Sequence, residues 1–240
     1  MSYRALVLAR TALRAVVLLV IGACATVPQR PAGRFWLVLV DASCSIDSVA
    51  GHAYTLAWRR LVDAAAPGDR IALLPVRAGV YAATVPRVDV VLPGVPGLFD
   101  SRVQRRHEIE ALRTRLREVS LTGAVACSQT TPLLEAMAAA GRLLDHDPRE
   151  RRVVIMSDMA EDSEGIVFKV RLPSPDDVTR HLERWEDGAP RRAWRRTAVD
   201  VVSVGHVAPP VARAVQTFWT AYFRALGADL RSYDGTLSID

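Results

Sequence analysis

The chain has 240 residues, half of them hydrophobic and 24% charged, which excludes a disordered or fibrous polymer and leaves room for one sizeable globular domain. A formal charge of +5 would suit an acidic partner, yet Arg4, Arg10 and Arg14 all fall in the first 23 residues, which hold no Asp or Glu. Setting those three charges aside leaves +2, too little to argue for nucleic acid. The remaining basic cluster, Arg191, Arg192, Arg195 and Arg196 around Trp194, reads as a solvated connector.

In chain order, the three arginines precede a short apolar run, Ala15 to Ile21, and then Gly22, Ala23 and Cys24. A basic start, a short apolar stretch and small residues mark residues 1–23 as a secretory signal peptide. The run Ile21-Gly22-Ala23-Cys24 resembles the lipobox of bacterial lipoproteins. That resemblance implies a lipid on the Cys24 sulfur, anchoring in the cell envelope and, with Ala25 and Thr26 next, the periplasmic face of the outer membrane. Ile in place of the commoner Leu departs from the pattern. An uncleaved anchor helix from Ala5 to Ala23 is the alternative, at the expense of placing Arg10 and Arg14 in or near hydrocarbon. Residues 24–34, with Pro28, Pro31 and Gly33, read as a tether.

From residue 35 onward the pattern alternates. Phe35 to Val40 is an unbroken apolar run, as in a parallel strand buried on both faces. A helix is expected from Val49 to Ala66, stopped by Pro67-Gly68, then strands at Ile71 to Val76 and at Val88 to Leu92, the latter at an edge because prolines flank it. Charged helical spacing covers Arg105 to Val119, and a further helix runs from Pro132 to Leu144. Buried-strand runs recur at Arg152 to Ser157 and Val199 to Val204, before a last helix, Val211 to Leu226, carrying Phe218, Trp219, Tyr222 and Phe223. The expected fold is α/β: a doubly wound, mostly parallel, Rossmann-like sheet with helices on both faces and one antiparallel edge strand. Residues 163–196 interrupt the alternation with an extra strand, Ile166 to Val170, and an amphipathic helix, Pro175 to Trp185, and read as an insertion.

Ligands of open parallel sheets bind beyond the strand carboxyl ends. Those ends carry Asp41-Ala42-Ser43-Cys44-Ser45, Thr130-Thr131 and Ser157-Asp158. Two carboxylates and several hydroxyls offer only oxygen, which suits Mg2+ or Mn2+ and argues against zinc.

This set closely resembles the metal-ion-dependent adhesion site of von Willebrand factor A domains. The Asp-x-Ser-x-Ser element matches Asp41, Ser43 and Ser45, the later Thr matches Thr131, and the last Asp matches Asp158 in Ile155-Met156-Ser157-Asp158. The resemblance covers most of the chain after Arg34. It implies a binding module, not an enzyme, in which the cation's open coordination position takes a carboxylate from a partner protein. Gln129 and Thr130 stand where the family often has Gly, so Thr130 stays open as the ligand. Met159-Ala160-Glu161-Asp162 also replaces a Gly-rich continuation.

Cys44 and Cys127 lie in two loops of this rim, and in an oxidising compartment an even pair is expected to form a disulfide; two free buried thiols are the alternative. A second functional reading keeps the fold as a metal-free structural scaffold of the envelope, with Ser43, Ser45 and Thr131 serving as helix caps. A Mg2+-dependent phosphatase is remote, because its general acid would stand at Ser43. None of His52, His107, His146, His181 and His206 lies in a hydrolase motif, and no Gly-rich phosphate loop precedes a helix.

Overall fold

The computed structural model describes residues 33–77, 85–97, 100–121, 127–163, 166–168, 170–183, 188–205 and 208–239. The signal peptide, Cys24 and most of the tether therefore lie outside the described residues, as does His206. Strands β1 (Arg34–Asp41), β2 (Arg70–Val76), β3 (Val88–Val91), β4 (Glu150–Met156), β7 (Ala198–Val202) and β8 (Asp229–Asp234) make one sheet in the order β3-β2-β1-β4-β7-β8. All neighbours pair in parallel except β2 with β3. The doubly wound α/β architecture with one antiparallel edge is thus as expected.

Alternation along the central strands divides the core in two. Phe35, Leu37 and Leu39 face one side, where α3 (Leu133–Asp145) and α6 (Pro209–Leu226) pack. Trp36, Val38 and Val40 face the other, against α1 (Ser48–Ala64) and α2 (Arg102–Arg117). Because β1 and β4 are covered on both faces, their inner runs, Phe35 to Val40 and Val153 to Met156, are wholly apolar.

The insertion holds a two-residue-per-strand hairpin, β5 (Asp162–Ser163) with β6 (Ile166–Val167), and helices α4 (Pro175–Glu183) and α5 (Gly188–Ala193). The expected strand at 166–170 is thus only its first two residues, because the chain turns back at once: Val170 and Arg171 both donate their amides to the Val167 carbonyl. Val178 and Leu182 of α4 join the core, and Phe168 meets Phe218 edge-on at 4.9 Å. The aromatic residues of α6 are core residues under this cover, all 0% exposed. Trp194 is likewise fully buried, its indole donating to the Met137 carbonyl at 3.2 Å, so only the arginines around it fit the solvated-connector reading. Gly227, at φ 72°, ends α6 in the left-handed conformation that suits glycine.

Candidate functional site at the strand carboxyl ends

The chain leaves β1 towards β2 on one side and later returns to β4 on the other, so the winding reverses between β1 and β4. This switch point opens a crevice beyond the strand ends. Asp41 ends β1 there, and Ser157 and Asp158 follow β4.

Three loops are tied pairwise at this rim. The Asp41 loop meets the Thr131 loop through a parallel Ser43–Ser128 bridge, with Cys44 donating to the Ser128 carbonyl at 2.8 Å. The Cys44–Cys127 disulfide, with a Cα–Cα distance of 4.9 Å, locks the same pair of loops. The Thr131 loop meets the segment after Asp158 through two backbone hydrogen bonds between Thr131 and Asp162, at 2.9 and 3.1 Å. The third tie returns to the start, as the Ser157 hydroxyl donates to Asp41 Oδ2 at 3.0 Å.

Asp41 is 1% exposed. Its Oδ1 accepts the Ser43 amide at 2.8 Å and its Oδ2 the Ser157 hydroxyl. Burial pushes its carboxyl above the ordinary range, hydrogen bonds from Ser43 and Ser157 work against that, and the nearby Asp158 charge adds to it. The Ser43 and Ser45 hydroxyls lie 2.8 Å apart. Thr131 is 6% exposed, while Thr130 is half-buried with its amide on the Ser128 hydroxyl at 3.3 Å.

The Asp158 turn is held from several sides. Its Oδ1 accepts the Ala160 amide at 2.9 Å, the Ser157 hydroxyl accepts the Met159 amide, and Trp219 donates to the Met159 carbonyl at 2.8 Å. Met159 sits at φ 62°, a left-handed conformation that costs a non-glycine residue on the order of 1 kcal/mol. Its fully buried side chain explains why glycine is absent here.

The rim hydroxyls are not the helix caps. Asp47 caps α1 by accepting the Ala50 amide at 2.8 Å, and α3 follows Pro132, which makes no side-chain cap bond. Glu161, 0% exposed, reaches α3 instead and accepts the Leu134 amide at 2.9 Å. Burial raises its carboxyl to about 7, against hydrogen bonds from Ser163, Leu134 and Leu133.

Three residues have supporting roles that the sequence does not assign. Ser157 stands out only as a strand-end hydroxyl beside Asp158. Glu161 stands out only as an extra acid after Asp158, since its role depends on α3 arriving beside it. Gly205 lies against Asp158, where a Cβ would come within 2.8 Å of the Asp158 Cβ.

The donor types suit a hard cation: Asp41 is a buried carboxylate bonded by an amide and a hydroxyl, Asp158 is near enough for its charge to raise the Asp41 carboxyl, and Ser43, Ser45 and Thr131 offer hydroxyls. Among the described residues no three His, Cys, Asp or Glu side chains gather as a metal cluster, so a cation here would depend on serine and threonine oxygens.

Neither a protein-family model nor a curated protein sequence matches the chain. Solved structures do. A von Willebrand factor type A protein from Catenulispora acidiphila aligns over 81% of this chain and 43% of its own, with 14% identity and a TM-score of 0.39. Human COPII-coat protein Sec24c aligns over 86% and 30%, with 10% identity and 0.41. Manganese-loaded Plasmodium vivax TRAP protein aligns over 76% and 62%, with 14% identity and 0.32. The chain thus spans less than two thirds of each, and likenesses this distant leave the functional reading to the geometry.

Proposed function

We propose that the chain is a von Willebrand factor A-type binding domain that holds Mg2+ or Mn2+ at its rim and, through it, a carboxylate of a partner protein. Asp41 and Asp158 would supply the negative ligands, and Ser43, Ser45 and Thr131 the neutral ones. The observation that carries this reading is Asp41: a buried carboxylate at the switch point, bonded by neutral donors and raised further by Asp158. Such a pair of charges is costly alone and favourable around a cation.

The chain's own residues prepare the place. Ser157 and the Ser43 amide orient the Asp41 carboxylate, and the disulfide and the Thr131–Asp162 pairing keep the loops in register. With Asp47 and Glu161 at the helix starts, Ser43, Ser45 and Thr131 are not needed as caps. A cation bound mainly through neutral hydroxyls retains positive charge, which attracts an incoming carboxylate. The domain on this reading binds and does not catalyse. Lipidated at Cys24, it would face the periplasm from the outer membrane.

Thermal unfolding decides between this and a metal-free scaffold. Cation at about 100 times its Kd adds about 2.7 kcal/mol, a rise of about 5–10 °C for a domain of this size, and Asp41→Ala abolishes it. Equal melting in Mg2+, Mn2+ and chelator would leave the scaffold reading. Pull-down from envelope extract, with and without chelator, tests the partner, and release of Cys24→Ser from the membrane fraction tests the anchor.

A further inference from the structure

Beyond the ends of β4, β7 and β8, beside the first turns of α6, lies a cavity of about 240 Å3 with Asp158, Ser203, Gly205, Gln216, Tyr233 and Asp234 in its walls. Asp158 is the one residue it shares with the proposed cation site. We propose that this cavity is a subsite for a basic side chain, best an arginine, of the bound protein. That this side chain lies near the carboxylate taken by the cation rests on the reading above; the cavity's preference for a basic group does not.

Among the described lining residues none is basic, and two are acidic. Each acid uses Oδ1 for its own turn: Asp158 accepts the Ala160 amide, and Asp234 accepts the Thr236 amide at 2.7 Å and its hydroxyl at 3.2 Å. Acceptor capacity remains on each Oδ2, with the Gln216 carboxamide oxygen as a further acceptor. Gly205 contributes to the shape, because its missing Cβ lets the segment after β7 lie 3.7 Å from Asp158 Oδ2, measured from where a Cβ would stand.

Spacing selects the kind of cation. Asp158 lies beyond β4 and Asp234 ends β8, with β7 between them, and two strand intervals put their backbones about 10 Å apart. A metal ion bonded at about 2.0–2.6 Å would need both side chains to reach to one point. A guanidinium, planar and with donors at opposite ends, can lie between them, and its stem passes along Tyr233.

The test uses two small probes on the purified protein in chelator, read by 1H–15N NMR. N-acetyl-argininamide should shift the amides of Gly205, Gln216 and Tyr233, with N-acetyl-citrullinamide, its neutral isostere, at least tenfold weaker. Asp234→Asn keeps an oxygen for Thr236 and should weaken the arginine probe about tenfold while preserving the melting response to Mg2+. Equal binding of both probes, no shifts at these residues, or an Asp234→Asn variant that binds as before would each overturn the subsite. A missing Mg2+ response with arginine binding intact would remove the cation reading and leave the subsite standing.

Discussion

The two ends of the sheet treat charge in opposite ways. At the strand amino ends carboxylates meet arginines: Arg70 bonds Asp89 at 2.6 Å and Asp147 at 3.1 Å, Arg149 bonds Asp147 at 2.9 Å, and Arg152 lies 3.6 Å from Asp200 and over the Trp36 ring. At the carboxyl ends Asp41, Asp158 and Asp234 are bonded by amides and hydroxyls. Burial would raise Asp147, but bonds from Arg149 and Arg70 bring it below the ordinary range, whereas burial leaves Asp200, Asp41 and Glu161 above it. Among these residues, the carboxylates at the amino ends face arginines, and those at the carboxyl ends face neutral donors.

The largest expected effect joins loops at the rim. Replacing Cys44 and Cys127 by serine opens a link with a sequence separation of 83, and loop-closure entropy puts the loss at about 4.5 kcal/mol. Urea unfolding measures it, and cation affinity should fall together with stability. A variant that lost stability but bound Mg2+ unchanged would show that the disulfide does not position the site.

At the amino end, Asp200→Ala leaves Arg152 buried without its partner and should cost about 3 kcal/mol, equally in Mg2+ and in chelator. A cation-dependent loss would break the separation between the two ends.

Smaller again is the pH dependence of Glu161. Its folded carboxyl titrates near 7 and its unfolded one near 4.5, so between those values the native state holds the extra proton and stability falls as pH rises. The fall from pH 5 to 8 amounts to about 2.5 kcal/mol. Glu161→Gln should flatten that slope in urea titrations; an unchanged slope would assign it to other groups.

Asp41→Asn gives the smallest change in the cation-free protein. Because burial and Asp158 both penalise the Asp41 charge, the variant should melt at the wild-type temperature or slightly above it, by about 1 kcal/mol at most, and lose its response to Mg2+. Marked destabilisation in chelator would make Asp41 a structural residue.

Much of this was legible beforehand. Apolar runs located β1, β2, β4 and β7, because strands covered on both faces need nearly every side chain apolar. β8, with the sequence DLRSYD, went unseen because it borders solvent and carries charge, and α5, GAPRRA, looked like connector because it is short and basic. Along the first loop, the Ser43 and Ser45 hydroxyls come within 2.8 Å of each other through a turn at residues 44–45, which spacing alone does not encode.

What the sequence determined by itself was the local material: buried strands, an oxygen-only set of rim residues and an even pair of cysteines. Only the tertiary structure decided which of them meet. The winding reversal brings β1 beside β4, so that Ser157 bonds Asp41 across 116 residues of chain, and the fold sends Glu161 to α3 and Gly205 to Asp158. Periodicity reports which face of an element is buried; contacts between distant loops depend on strand order, which no local pattern encodes.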